Sequence, residues 1–356
     1  MAVPVSLPRR KSIEPAEDYG FFGPDSVTWR VWSYPTSLTV GFQRAVVVEE
    51  LDPFLVASVD ATRAIWDRPR TRYDRTLRYF ALVAFGDSRS TAKAADVLVK
   101  VHSKAVGTEP LSGRRYDAND PDSQLWIHLT AWHSILYAYE RYGPGKLSAE
   151  DEERYWRECA VAAELQTCDP ADVPRTREGV RAYFERMRPR LVGSQVAKDT
   201  MNHLLRAEVM LPPLPAVLRP AAKLIAFALR KATLATMPRW MREMSGLRQS
   251  RVLDALVRPL ARITFAAAHL SRRAELLMLG FLSPSTVSVV APVLLGVPPK
   301  RPETRTPAQA RERYGYAEPA KAHLELRARQ AERALSGHRP SDQGIRESEP
   351  ILGSTT

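Results

Sequence analysis

Arg72 and Thr76 stand four residues apart in "RTRYDRTLRYFALVAFG", and His102 follows in "VLVKVHSKAVG". Four residues are about one turn of helix, so a helix here sets the guanidinium and the hydroxyl on one face. His102 falls on the apolar side of a second candidate helix, with Ala94, Leu98, Val101 and Ala105. An imidazole among apolar residues, with a cation and a hydroxyl aimed at it, has the composition of a haem or metal site. Taken alone, a histidine on an apolar face is more often a core residue with its hydrogen bonds satisfied.

The remaining chemistry is sparse. There is no G-x-G-x-x-G, P-loop, H-E-x-x-H or G-x-S-x-G, so nucleotide-binding, zincin and α/β-hydrolase readings lack support. The seven histidines form no His-x-His or His-x-Asp signature. His128 and His133 are five apart, about 500° of helical rotation, so they do not share a face. Cys159 and Cys168 lack a CxxC or a nearby histidine. They read as reduced core thiols, with neither a disulfide framework nor structural zinc.

Lys and Arg number 52 against 40 acids, a formal net charge of +12. That excess is compatible with nucleic acid or an anionic membrane surface. The arginines are scattered along helices, without a dense block interleaved with aromatics, which argues against nucleic acid. The N-terminus has no long apolar stretch of a secretory leader, and Arg9-Arg10 is followed by charge, unlike a twin-Arg signal. Residues 276–299 carry no charge and are long enough to span a bilayer, but Pro284, Pro292 and intervening Ser and Thr residues weaken a helix there. Residues 221–241 read either as a basic amphipathic helix lying on a membrane or as a core helix with snorkelling Lys and Arg.

The elements that must position Arg72, Thr76 and His102 are helical. "SRSTAKAADVLVKVHSKAVG" predicts an amphipathic helix with a serine at its start and Gly107 capping its end. "NDPDSQLWIHLTAWHSILYAYERYGPG" predicts the best-bounded helix, with Asp120 as N-cap, Pro121 in the first turn and Gly143 past the end. Ser148 opens the next helix, with Asp151 three residues on. Another ends near Pro189, and a further helical run covers 193–211. Before them, helical periodicity from about Gly41 breaks at Asp52-Pro53. "LPPLPAVLRP" is a rigid connection. Residues 1–20 are Pro-rich and loose, and the last twenty residues have a disordered composition.

Six stretches, in order, resemble the oxygenase family that groups fungal MpaB-type enzymes of mycophenolic acid biosynthesis with bacterial latex-clearing (rubber) oxygenases. They are "DSVTWRVW" with "VVVEELDPFLVASV", "RTRYDRTLRYFALVAFG", "VKVHSKAVG", "YDANDPDSQLWIHLTAWHSILYAYERYG", "LSAEDEERYWRE" and "VPRTREGVRAYFERM". The resemblance runs from about residue 20 to 190 and continues more weakly to about 245. It implies an all-α, multi-helix single domain with a globin-like haem-binding core. It also implies haem b, with His102 as the axial iron ligand and Arg72 and Thr76 as haem-side polar residues. Trp126, His128 and Thr130 fall on the family's W-[IV]-H-x-T helix as pocket and packing residues, with His128 a second ligand candidate. Two features depart from the pattern. The apolar-His-Pro block reads Leu51-Asp52-Pro53, and Glu49 or Glu50 stands where an amide or acid often occurs, so the catalytic base is not placed.

The expected organisation is a flexible segment over 1–20, a helical haem domain over 21–245, a partly apolar extension over 246–300 and a charged tail over 301–356. The expected function is a haem b-dependent oxygenase that uses O2 to cleave a C=C bond in a lipophilic, isoprenoid-like substrate. The missing export signal points to a cytoplasmic protein and a substrate smaller than polyisoprene. The rival readings are a non-catalytic haem or lipophile binder and a membrane-surface interaction protein. The basic charge leaves room for peripheral membrane contact.

Overall fold

A computed structural model describes residues 10–337. The fold is all-α. Its N-terminal part comprises α1 (Val27–Trp32), α2 (Phe42–Val48), α3 (Pro53–Thr62), α4 (Ala64–Asp67), α5 (Pro69–Phe85) and α6 (Ser88–His102). A small hairpin follows, β1 (Val106–Thr108) antiparallel to β2 (Arg115–Asp117), with Gly107 opposite Tyr116. Next come α7 (Pro121–Tyr142), α8 (Ala149–Ala163), α9 (Arg177–Met187) and α10 (Gln195–Leu204). The chain then forms α11 (Arg219–Thr236), α12 (Arg239–Met244) and α13 (Arg251–His269). It closes with α14 (Arg272–Leu282), α15 (Pro284–Leu294), α16 (Pro307–Tyr314) and α17 (Pro319–Leu335).

Helix α7 is the centre. Asp120 accepts from Ser123 N, Pro121 fills the first turn, and Gly143 terminates the helix, as its sequence signals predict. Its buried side chains include Trp126, Leu129, Trp132 and Ile135, each at most 2% exposed. Trp132 meets Trp32 at 5.2 Å and Tyr155 at 5.0 Å between ring centroids, joining α1, α7 and α8. Offset and edge contacts of this kind let large rings fill a helical core without voids. Ser148 caps α8 by accepting from Asp151 N.

Several expectations change. Asp87, not a serine, caps α6, and its carboxylate accepts from Ser90 N. Gly107 does not end that helix: α6 stops at His102, and Gly107 sits in β1, where the Tyr116 ring leaves no room for a Cβ. Pro53 does not simply interrupt a helix. It begins α3, with Asp52 accepting from Phe54 N and Leu55 N.

The N-terminal segment is not loose throughout. Asp18 is buried and accepts from Ser88 N, and Tyr19 N bonds to Glu303 O. At Gly20 the backbone is left-handed, and a Cβ there would collide with the Gly86 carbonyl oxygen. The uncharged stretch 276–299 is two short helices, α14 and α15, broken at Ser283. Val290 and Ala291 of α15 belong to the main core, and Ser283 Oγ bonds to Asp74 Oδ1 of α5 at 2.6 Å. Among the described residues no helix is long and apolar enough to cross a membrane. One hydrophobic cluster runs from Phe21 to Ala310. The last residues, 338–356, and with them most of the expected disordered tail, lie outside the described part.

Candidate functional site

His102 is the last residue of α6, and the chain leaves the helix there because Ser103 closes it with backbone bonds to Val99 O and Val101 O. The imidazole is held from the side of α7. Gln124 Nε2 lies 3.5 Å from His102 Nδ1, and the Asn119 side chain lies beside the ring. Asn119 is itself fixed, since its Nδ2 donates to Val99 O at 2.9 Å and lies 3.2 Å from His323 Nδ1. Burial pushes the His102 pKa down to about 4, and the nearby Arg72 cation adds to the effect. The ring is therefore neutral at physiological pH, the form that ligates a metal.

Two adjacent acids face the same cation. Glu49 and Glu50 lie in a single 3-10 turn that links α2 to Asp52, the N-cap of α3. Burial raises Glu49 to about 8, with Arg72 acting the other way. Burial, then the Glu49 charge, raises Glu50 well above the usual carboxylate range. Glu50 is 2% exposed, and its Oε2 has no hydrogen-bond partner among the described residues. A buried carboxyl oxygen left without a partner is costly, and a bound group or water that completes it would relieve the cost.

Arg72 and Thr76 lie on α5, four residues apart on one face as their spacing predicts. Thr76 Oγ1 donates to Arg72 O at 2.8 Å, which leaves its oxygen lone pairs free to accept. No hydrogen bond to the Arg72 guanidinium is found among the described residues. It acts electrostatically on His102, Glu49 and Glu50 together. Groups on the end of α6 and in the turn after α2 thus lie within electrostatic range of one exposed cation on α5. His102 and Glu49 keep part of their surface accessible although burial dominates their proton affinity. Leu98, Val101 and Ala105 on the His102 side are likewise half-buried, and the Tyr79 hydroxyl on α5 is buried without a partner among the described residues.

His128 is differently placed. Its Nε2 lies 2.7 Å from Cys159 O and its Nδ1 3.0 Å from Gln166 Nε2, so both ring nitrogens are engaged. Burial lowers its pKa to about 4. Trp126 donates from Nε1 to Glu49 O at 3.1 Å, so α7 closes over the acid turn, and Thr130 is fully buried. His133 packs on Phe184 at 4.9 Å with Arg44 beside it, outside the Arg72 cluster.

Sequence reasoning placed no role on Glu50, Asn119 or Gln124. Only the acids carried a signal: two ionisable residues in the apolar run "VVVEELDPF" predict burial with a purpose or a partner. The outer support was invisible. Helix α17 brings His323 to Asn119, with Nε2 3.5 Å from Asp117 Oδ2, and Gln330 donates to Ser103 Oγ at 3.2 Å.

Among the described residues no three His, Cys, Asp or Glu side chains converge to hold a metal ion. His102 thus stands as a lone imidazole rather than as part of a protein metal cluster. No curated protein and no solved structure matches the chain. The family model described as "ER-bound oxygenase mpaB/B'/Rubber oxygenase, catalytic domain" matches residues 29–270.

Proposed function

The chain belongs to the mpaB/rubber oxygenase catalytic-domain family, and from that premise we propose a haem b-dependent oxygenase with His102 as the axial ligand. The observation that carries this reading is a buried, neutral imidazole at His102 that shares the electrostatic influence of Arg72 with two buried acids, Glu49 and Glu50. The donor set fits haem, because the porphyrin supplies four nitrogens and the protein needs to add one imidazole. Gln124 approaches the ring at Nδ1 and the Asn119 side chain lies beside it, and both hold its orientation. Bound haem would supply the activation of O2 for oxidative cleavage of a C=C bond.

The protein's own residues contribute charge, proton and exclusion of water. Arg72 provides a fixed cation to stabilise negative charge or to anchor a propionate. Burial holds the Glu50 carboxyl well above the usual carboxylate range, and its unpartnered oxygen suits it to exchange a proton during turnover. Thr76 adds an acceptor one turn from Arg72. The half-buried Leu98, Val101 and Ala105 beside His102 provide apolar surface suited to a lipophilic, isoprenoid-like chain. The globin-like arrangement of the core belongs to the same proposal.

The absorption spectrum after haem reconstitution tests it. A Soret band is expected for the wild type and is lost or markedly shifted in His102→Ala. A wild type with no Soret band, or a His102→Ala protein with an unchanged spectrum and haem content, overturns the assignment.

A further inference from the structure

Helix α13 carries two apolar stripes. Val257, Ala261 and Phe265 point inward and pack with Leu229 and Ala232 of α11 and with Tyr142 of α7. Val252, Leu256, Leu260 and Ile263 recur at spacings of four, four and three, which places them on one face. They are 57–70% exposed, and Leu270 at the helix end is 88% exposed. The adjoining half of α11 exposes Leu224, Ile225 and Phe227, and Val217 and Leu218 precede it. No described element covers this face, although an uncovered patch this rich in large aliphatic residues is uncommon on a soluble monomer.

The charge around the face is one-sided. Residues 217–270 contain ten Lys or Arg and two acids, Glu243 and Asp254. Both acids are already paired, Glu243 with Arg239 and Asp254 with Arg242. Arg219, Lys223, Arg248, Arg251, Arg258 and Arg262 remain exposed. On α13, Arg251, Arg258 and Arg262 form a stripe beside the exposed leucines, about 100° of rotation per residue placing all three together.

We propose that the α11–α13 face docks on an anionic lipid bilayer, with its aliphatic residues at the acyl boundary and its arginines among the lipid headgroups. A second copy of the chain is the poorer occupant, because a two-fold contact would press the same unpaired cations against one another. Nucleic acid would find aliphatic side chains where stacking needs rings. An interfacial helix pairs an apolar face with a Lys/Arg-rich border, as here. The inference goes beyond the oxygenase reading and does not rest on it.

Co-sedimentation of the full chain with phosphatidylcholine vesicles, with and without phosphatidylserine, tests the docking. At low salt the wild type is expected to bind the serine-lipid vesicles about tenfold more strongly than phosphatidylcholine alone. The triple variant Leu256→Ser, Leu260→Ser, Ile263→Ser is expected to lose that binding. Arg258→Glu with Arg262→Glu should also lower it, and provides the discriminating result if the triple variant fails to fold. Leu324→Ser, an exposed leucine on α17, should bind as the wild type does. The proposal is overturned if the wild type fails to bind at low salt. It is equally overturned if folded variants of the face bind undiminished, or if the wild type is a dimer that the face variants convert to monomers.

Discussion

Helices α7 and α13 are of similar length, 22 and 19 residues, and both are capped by a side chain accepting from the first turn. The first buries fourteen of its residues and the second buries none. Their aliphatic content does not separate them, since α13 carries leucine, valine, isoleucine and phenylalanine on two sides. The difference lies in what surrounds them. Helix α7 is enclosed by α1, α2, α8 and α13, so each of its faces meets another helix. Helix α13 has α7 and α11 along its inner side and α14 at its end, and along its outer face no described residue. Apolar content therefore states a demand for burial, and the packing of other elements decides whether the same chain supplies it.

The contrast predicts unequal costs. Trp132→Ala on α7 removes a ring wedged between Trp32 and Tyr155, and should lower unfolding stability by about 3–5 kcal/mol. Chemical denaturation measures this, and a loss below about 1 kcal/mol would erase the distinction between the helices.

The enclosed side also holds acids, which yields a pH effect of comparable size. Glu49 titrates near 8 in the folded chain, above its unfolded value. Between those two values the folded state holds a proton that the unfolded state has released, so stability falls as pH rises from about 4.5 to about 8. Glu49→Gln should remove this slope, gaining on the order of 4 kcal/mol relative to wild type at pH 8 and little near pH 4.5. Denaturation midpoints of both proteins across that range would show parallel curves if Glu49 were solvated.

Smallest is the expected change on the open face. Ile263→Ser should move stability by no more than about 0.5 kcal/mol, because the side chain is 69% exposed in the folded state already. A loss comparable to that of Trp132→Ala would show the α13 face to be packed in solution.

Much of α7 was legible in the sequence. Asp120, Pro121 and Gly143 act locally, through the first N–H groups and the terminal carbonyls, so residue type and position suffice. The same holds for Ser148 and for the Arg72–Thr76 spacing, which needs only helical geometry. Gly107 shows where local reading fails. It resembles a helix terminator, yet its place is fixed by pairing with Tyr116, a contact that the hairpin creates. Likewise the uncharged run at 276–299 has the length of a span, but Ser283 breaks it and Asp74 of α5 ties down the break.

The candidate site divides in the same way. Order and spacing of short motifs marked Arg72, Thr76 and His102 and pointed to the oxygenase family, because helix periodicity and family resemblance are written in the chain itself. Which charges share one environment was decided by tertiary structure. Glu50 became a buried, unpartnered carboxyl with a raised proton affinity only because α7 and α3 pack over its turn. His323 reached Asn119 only because α17 folds back onto α6. The open face of α13 follows the same rule: its apolar pattern is in the sequence, but its exposure follows from where the other helices pack. Burial depends on residues far apart in sequence, and electrostatics depends on burial, so neither can be read from spacing alone.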